Sequence, residues 1–344
     1  MNNTTVIGID LAKNVIQACL IDKHGSIVYN KAVTRNKLKQ LLANLPPAIV
    51  AMEGCGSCHY WGQLAEQLGH QARIISPKKV KAFLQGHKTD ANDALAIAIA
   101  ATQPGMVFSR IKTKEQQSLQ TLEKSRKFLD KELTALGNHI RAYLYEFGIT
   151  SSRGRKSLRL TVARVLDEQD QRLPTCLKST LIQLWSRYTL TIEQLKSTKK
   201  AIEALVKQFD PCRRLLDLES VGPVSASLLY ASMGDGGDFK NGRQAAAYTG
   251  VTPQQHSSGG KTYIRGINKQ GGNKELRAAL YQGAFSVISR LPLEPKTVKQ
   301  KWLIDLVNRV GVKRACIALA NKTVRTAWAL LATGKTYQPV LLNP

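Results

Sequence analysis

The sequence predicts a mixed α/β domain, then a long helical, coiled-coil-like linker, then a mainly helical C-terminal domain. Three observations lead there. Short apolar runs of strand character fill the first part of the chain, three in succession and then alternating with helical spacing. From about residue 113 the pattern turns to leucines at helical intervals among Lys, Glu and Gln. Further helical stretches follow, interrupted by one Gly-rich, serine-bearing segment. The boundaries fall at 1–105, 106–212 and 213–344, and 344 residues suffice for separate cores.

Residues 4–10 form an apolar strand that ends in Asp10. Residues 15–21 alternate loosely as a second strand, and Gly25 turns the chain into a third over 26–33. A helix over 36–45 stops at Pro46-Pro47, and residues 48–52 read as a buried strand followed at once by Glu53. Helix 57–68, strand 72–76 and helix 77–84 continue the alternation. An apolar helix then opens at Lys88-Thr89-Asp90-Ala91-Asn92-Asp93-Ala94 and runs to about residue 101. A three-strand meander followed by strand–helix alternation is the order of the ribonuclease-H-like fold, a mixed sheet flanked by helices.

The chemistry concentrates at the ends of these elements. Asp90 and Asp93 are three positions apart, so on a helix both carboxylates leave one face. Taken alone, they are also ordinary helix-start residues, since Thr89 or Asp90 can cap and acids suit the positive helix end. Asp10 and Glu53 end two strands, where such folds gather chemistry. Four converging carboxylates would bind Mg²⁺, a hard cation that takes oxygen ligands.

Leu119, Leu122, Leu129, Leu133 and Leu136 keep helical spacing, with the helix running from 113 to about 147. A basic loop over 148–156 carries Arg153, Arg155 and Lys156, and helix resumes from about Leu158. A second stripe, Leu190, Leu195, Ile202, Leu205 and Val206, ends at Asp210-Pro211. Two long antiparallel helices explain these stripes, either as an intrachain hairpin or paired with a second copy. Residues 218–226 resemble a helix–hairpin–helix turn in which Gly222 lets backbone approach a phosphate. After a helix over 239–248, the segment Gln254-Gln255-His256-Ser257-Ser258-Gly259-Gly260-Lys261, with Arg265 and Lys269 beyond it, reads as a flexible phosphate-binding loop. Helices over 275–291 and 313–331 close the chain, the latter carrying Arg314, Lys322 and Arg325.

Lys+Arg total 50 against 24 Asp+Glu, a net +26, which is most simply kept for a polyanion such as nucleic acid. No apolar run reaches the ~18–20 residues of a spanning helix. The first residues lack the basic start and cleavage site of a secretory signal, which places the protein in the cytoplasm, at the nucleoid. Cys55-Gly-Ser-Cys58-His59 spells a haem-attachment pattern without the export or axial ligation that chemistry needs. The six cysteines read as reduced and structural.

In this order, Gly8-Ile9-Asp10-Leu11-Ala12-Lys13, Met52-Glu53-Gly54-Cys55-Gly56-Ser57, Lys88 to Ala94, Gln255-His256-Ser257-Ser258-Gly259-Gly260-Lys261 and Gly266-Ile267-Asn268-Lys269 form a specific set. They resemble the DEDD-type insertion-sequence transposases, relatives of the pilin-segment DNA invertases and described as bridge-RNA-guided recombinases. The resemblance covers nearly the whole chain. It implies a RuvC-like domain whose metal-binding acids are Asp10, Glu53, Asp90 and Asp93, and a nucleophilic serine before glycine, which Ser258 fits and adjacent Ser257 leaves open. It further implies a phosphoserine intermediate, double-stranded donor and target DNA, a bridge RNA that pairs with both, and dimers pairing into a tetramer. Arg153, Arg155, Lys156, Gly222, Lys261, Arg265 and Lys269 are the expected nucleic-acid contacts. The residues without the resemblance also suit a metal-dependent structure-specific nuclease or resolvase that uses activated water. A non-enzymatic architectural protein is disfavoured, because unneutralised acids on a DNA-facing surface cost affinity.

Overall fold

The computed structural model describes residues 5–267 and 271–342, so Lys269 lies outside the described residues. Contacts divide the chain into two compact units, Met1–Glu115 and Gln116–Pro344.

The first unit is built on a five-stranded mixed sheet of β1 (Val6–Asp10), β2 (Val15–Ile21), β3 (Ile27–Thr34), β4 (Ile49–Glu53) and β5 (Gln71–Ile75). Its spatial order is β3-β2-β1-β4-β5. The meander strands pair antiparallel, and β1 with β4 and β4 with β5 pair parallel. Central strands covered on both faces need apolar side chains on both, and β1 and β4 are continuous apolar runs for that reason. On one face, Ile7, Ile9, Ile16, Val50 and Met52 pack with Leu38 and Leu42 of α1 (Arg35–Asn44) and Trp61 and Ala65 of α2 (Cys58–Gln67). On the other, Val6, Cys19, Ile21, Ile49, Ala51 and Ile75 meet two further elements. These are Val80 of the short α3 (Pro77–Val80) and the alanine-rich α4 (Asp90–Thr102). The helix expected over 77–84 is α3 continued by a single 3₁₀ turn, Lys81–Phe83. Residues 106–115 also pack here: Ser109 N–H donates to Ile74 O at 2.9 Å, and Gln63 Nε2 donates to Lys112 O at 2.7 Å.

The second unit begins with α5 (Lys114–Tyr145), which folds back through α6 (Arg155–Val165) onto α7 (Thr175–Gln208). The leucine stripes meet within one chain. Leu119 shares a core with Ile202 and Val206, Glu132 pairs with Arg187, and Tyr143 Oη donates to Leu177 O at 3.0 Å, a consistently antiparallel register. Leu190, expected on the second stripe, is exposed. The basic loop is shorter than expected: Arg155 and Lys156 form the first turn of α6, leaving Arg153 in the loop.

The chain continues through α8 (Asp210–Leu215), α9 (Pro223–Met233) and α10 (Gly242–Thr249). A hairpin of β6 (Pro253–Ser258) and β7 (Lys261–Ile267) follows, then α11 (Lys274–Ile288), α12 (Val298–Val310) and α13 (Val312–Thr333). The sequence reading missed α12, although Thr297 and Gln300 form a full capping box at its start. Buried Glu123 on α5 accepts from Arg126 Nε at 2.7 Å and from Ser227 Oγ of α9 at 2.8 Å, so its charge is paired where it leaves water.

Candidate metal centre and serine hairpin

The acids converge because α4 lies directly on β1. A Cβ on Gly8 would sit 2.3 Å from Ala94 O and 2.5 Å from Ala98 N, so only glycine lets the helix backbone approach this closely. Gly8 and Asp10 share one face of β1, and Asp93 precedes Ala94 on α4, so the contact carries Asp93 to Asp10. Thr89 caps the helix by accepting from Asn92 N–H, and Asp90 and Asp93 occupy the first turn. A side-chain relay fixes the helix start sideways. Gln17, opposite Asp10 in the β1–β2 register, donates to Asn30 Oδ1 at 2.7 Å, and Asn30 Nδ2 donates to Ala91 O at 3.0 Å.

The result is a group of carboxylate oxygens from Asp10, Asp90 and Asp93 that all lie within 4.8 Å of one another. Glu53 stands outside that spacing but borders it. The parallel register sets Ile9 opposite Met52, and Asp10 and Glu53 are the next positions along. Burial, then Asp93 and Asp90, push the Asp10 carboxyl above the usual carboxylate range, and Lys88 pulls it back. Burial, then Asp10 and Asp93, raise Glu53 in the same way, again opposed by Lys88. Crowded, partly desolvated carboxylates hold excess negative charge that one lysine does not balance. An all-oxygen donor set suits a hard divalent cation. Ligands on opposite sides of an ion at ~2.0–2.6 Å lie ~4–5 Å apart, which the observed spread matches. These residues therefore fit such an ion.

The serine segment is a two-stranded hairpin, not the flexible loop expected. Ser258 pairs with Lys261 across a Gly259-Gly260 turn whose residues both have left-handed φ, +56° and +73°. A glycine pair between two short runs is a hairpin signal, but the flanking residues are exposed on both faces, so no apolar alternation marks them as strands. Successive strand residues face opposite ways. Ser257 Oγ lies 3.2 Å from Thr262 Oγ1 and accepts from Gln255 Nε2 at 3.3 Å. Ser258 is exposed, and its hydroxyl makes no hydrogen bond among the described residues.

Arg153, Arg155, Lys156, Lys261 and Arg265 are all exposed. Gly222 caps the start of α9, and a Cβ placed there would meet nothing within 4 Å, so the backbone faces open space. Cys58 is buried in the first unit's core beneath exposed Cys55, and all six cysteines are free thiols. Sequence reasoning missed the roles of Gly8, Asn30 and Lys88. Gly8 stands two residues before Asp10, and a glycine inside an apolar strand was the available signal of a close approach. Nothing local marks Asn30.

Among known proteins, a model of the transposase IS116/IS110/IS902 family matches residues 212–299. A second transposase model, of the DEDD type, matches residues 7–149. The transposase for insertion sequence element IS1111A of Coxiella burnetii is 37% identical over 98% of this chain and 92% of its own length. The transposase for insertion sequence element IS1328 of Yersinia enterocolitica is 35% identical over 98% of this chain and 99% of its own. More distant is the pilin gene-inverting protein of Moraxella bovis, 23% identical over 97% of both chains.

Proposed function

Because this chain belongs to the IS116/IS110/IS902 family of transposases, we propose that it cuts and rejoins DNA at an insertion sequence through a serine-linked intermediate. The observation that carries this reading is the cluster of Asp10, Asp90 and Asp93 bordered by Glu53 in a strongly basic protein. Acids among nucleic-acid-binding charge are a liability unless a cation neutralises them. Mg²⁺ held by Asp10, Glu53, Asp90 and Asp93 would supply charge neutralisation at the scissile phosphate.

Ser258 is the nucleophile. Its Oγ forms a bond to phosphorus while the P–O3′ bond breaks, and the serine proton passes through solvent to the leaving 3′-oxygen. The 5′ end is then held as a phosphoserine ester, and a 3′-hydroxyl of another strand reverses the reaction, so bond energy is conserved without a high-energy cofactor. Among the described residues the Ser258 hydroxyl has no hydrogen-bond partner, which supports this choice over Ser257, whose oxygen is engaged with Thr262 and Gln255. Exposed Lys261 and Arg265, on the same hairpin, and Arg153, Arg155, Lys156 and the open backbone at Gly222 are the backbone contacts. Lys269 joins them on its sequence pattern.

Partner choice is assigned to a guide RNA that pairs with donor and target DNA, while the protein holds phosphates and duplex shape. The protein acts in the cytoplasm, at the nucleoid, as dimers that pair into a tetramer. Among the described residues no helix is long and apolar enough to cross a membrane.

The test is to recover protein–DNA adducts after denaturation from cells carrying the element, and to sequence co-purifying RNA. Adducts from wild type and Ser257→Ala, but not from Ser258→Ala or Asp10→Asn, are expected. Cleavage without any adduct would favour a nuclease that uses activated water, and the absence of a discrete RNA would remove the guide.

A further inference from the structure

The N-terminus of α10 and the outer face of α13 enclose an open cavity of about 570 Å³ in the second unit. It is lined by Asn241, Gly242 and Arg243 from the first element and by Lys322, Arg325 and Trp328 among the residues of the second. The two elements touch through their backbones: a Cβ on Gly242 would lie 3.1 Å from both Cα and O of Arg325. That approach sets the three cations around one opening. Lys322 and Arg325 lie three positions apart on the exposed stripe of α13, opposite the buried stripe of Leu319, Ala320, Val324 and Ala327.

The cations are poorly compensated. Among the described residues, Arg243, Lys322 and Arg325 form no ion pair with a carboxylate. Lys322 instead sits 4.8 Å over the Trp302 ring, a contact that positions its ammonium without neutralising it. Trp328 is held by its Nε1 donating to Gly236 O at 2.9 Å, so the cavity has one fixed aromatic wall. Three like charges held together repel one another unless an anion sits between them, and the positive end of α10 adds to the same potential.

We propose that this cavity is a phosphodiester anchor, a site where backbone phosphates of a nucleic-acid strand dock against Arg243, Lys322 and Arg325. It rests on the reading of the protein as one that handles nucleic acid, and it adds a contact on a different surface element from the serine hairpin. Arginine offers the planar, forked donor that matches phosphate oxygens, and two of the three cations are arginines. A strand that threads the cavity brings a sugar or base against the fixed Trp328 wall.

The experiment measures binding of the full chain to three labelled probes, single-stranded DNA, duplex DNA and an RNA hairpin, across a salt series in chelator. With no divalent metal present no strand is cut, so the result is independent of the metal centre and of Ser258. The variant Arg243→Gln/Lys322→Gln/Arg325→Gln is compared with Lys196→Gln/Lys199→Gln/Lys200→Gln, an equal charge loss on exposed positions of α7. Because Arg243, Lys322 and Arg325 are exposed, the fold, checked by circular dichroism, is retained. The expected result is a log–log salt slope shallower by roughly 2–3 for at least one probe, at about 0.7–0.9 per phosphate lost. The probe affected names the strand. A slope change no larger than that of the α7 variant for all three probes overturns the proposal.

Discussion

The carboxylates of Asp10 on β1 and Asp93 on α4 lie within 4.8 Å of each other because Gly8 has no side chain. The approach of helix to strand is set by a backbone contact, so the geometry of the acids depends on a residue that never touches them.

Gly8→Ala is therefore expected to act on the site through the fold. The new methyl would sit 2.3 Å from Ala94 O, a clash with backbone that only a shift of α4 relieves. The expected cost is ~1–3 kcal/mol in urea unfolding, with loss of DNA cleavage beyond what stability explains. Unchanged stability and activity would show that α4 does not sit against β1 as described.

The raised carboxyls of Asp10 and Glu53 predict how stability varies with pH. A folded-state pKa above the unfolded value means that the folded state holds protons longer, so stability falls as pH rises from the ordinary carboxylate range through the raised values. Above that window the full cost remains until a cation offsets it. Without metal, Asp10→Asn is expected to melt higher than wild type at neutral pH and to match it more closely near pH ~4. Added Mg²⁺ should raise the melting temperature of wild type and much less that of Asp10→Asn. Equal responses of both proteins to Mg²⁺ would place the ion elsewhere.

The serine hairpin should depend on its turn rather than on its side chains. Gly259 and Gly260 both have left-handed φ, which costs an ordinary L-residue ~1–2 kcal/mol each. Replacing the pair by Asn-Gly preserves the turn and is expected to preserve adduct formation. Val-Val opens the hairpin and abolishes adducts while the melting temperature of the rest of the protein holds. Full activity of the Val-Val variant would mean that the turn does not position Ser258.

Glu123 and Arg126 make the reverse case, a buried charge that is paired. Glu123 is 3% exposed and Arg126 21%, and Arg126→Met leaves the carboxylate with Ser227 as its remaining partner among the described residues. The expected cost is ~2–3 kcal/mol, low in the range for broken buried pairs because Arg126 is partly hydrated. The double variant Glu123→Met/Arg126→Met should unfold at a higher urea concentration than Arg126→Met alone. The opposite order would mean that the carboxylate is solvated.

Much of the fold was legible in local pattern. Apolar runs ending in Asp10 and Glu53, the opening of the helix at Thr89 and Asp90, and the long leucine stripes are all periodicities, and periodicity is written in neighbouring residues. Those features determined the succession of strands and helices along the chain, the helical region and which acids to suspect, while the order of the motifs determined the family. The tertiary structure decided what depends on distant backbone meeting backbone. It brought Asp93 to Asp10 through the bare face of Gly8 and set Arg243 beside Arg325 through Gly242. It closed the leucine stripes on each other within one chain, and it made a hairpin of a polar segment whose strands bury little. Side-chain periodicity records which face of an element is covered; it does not record which element covers it, or how near the two backbones come.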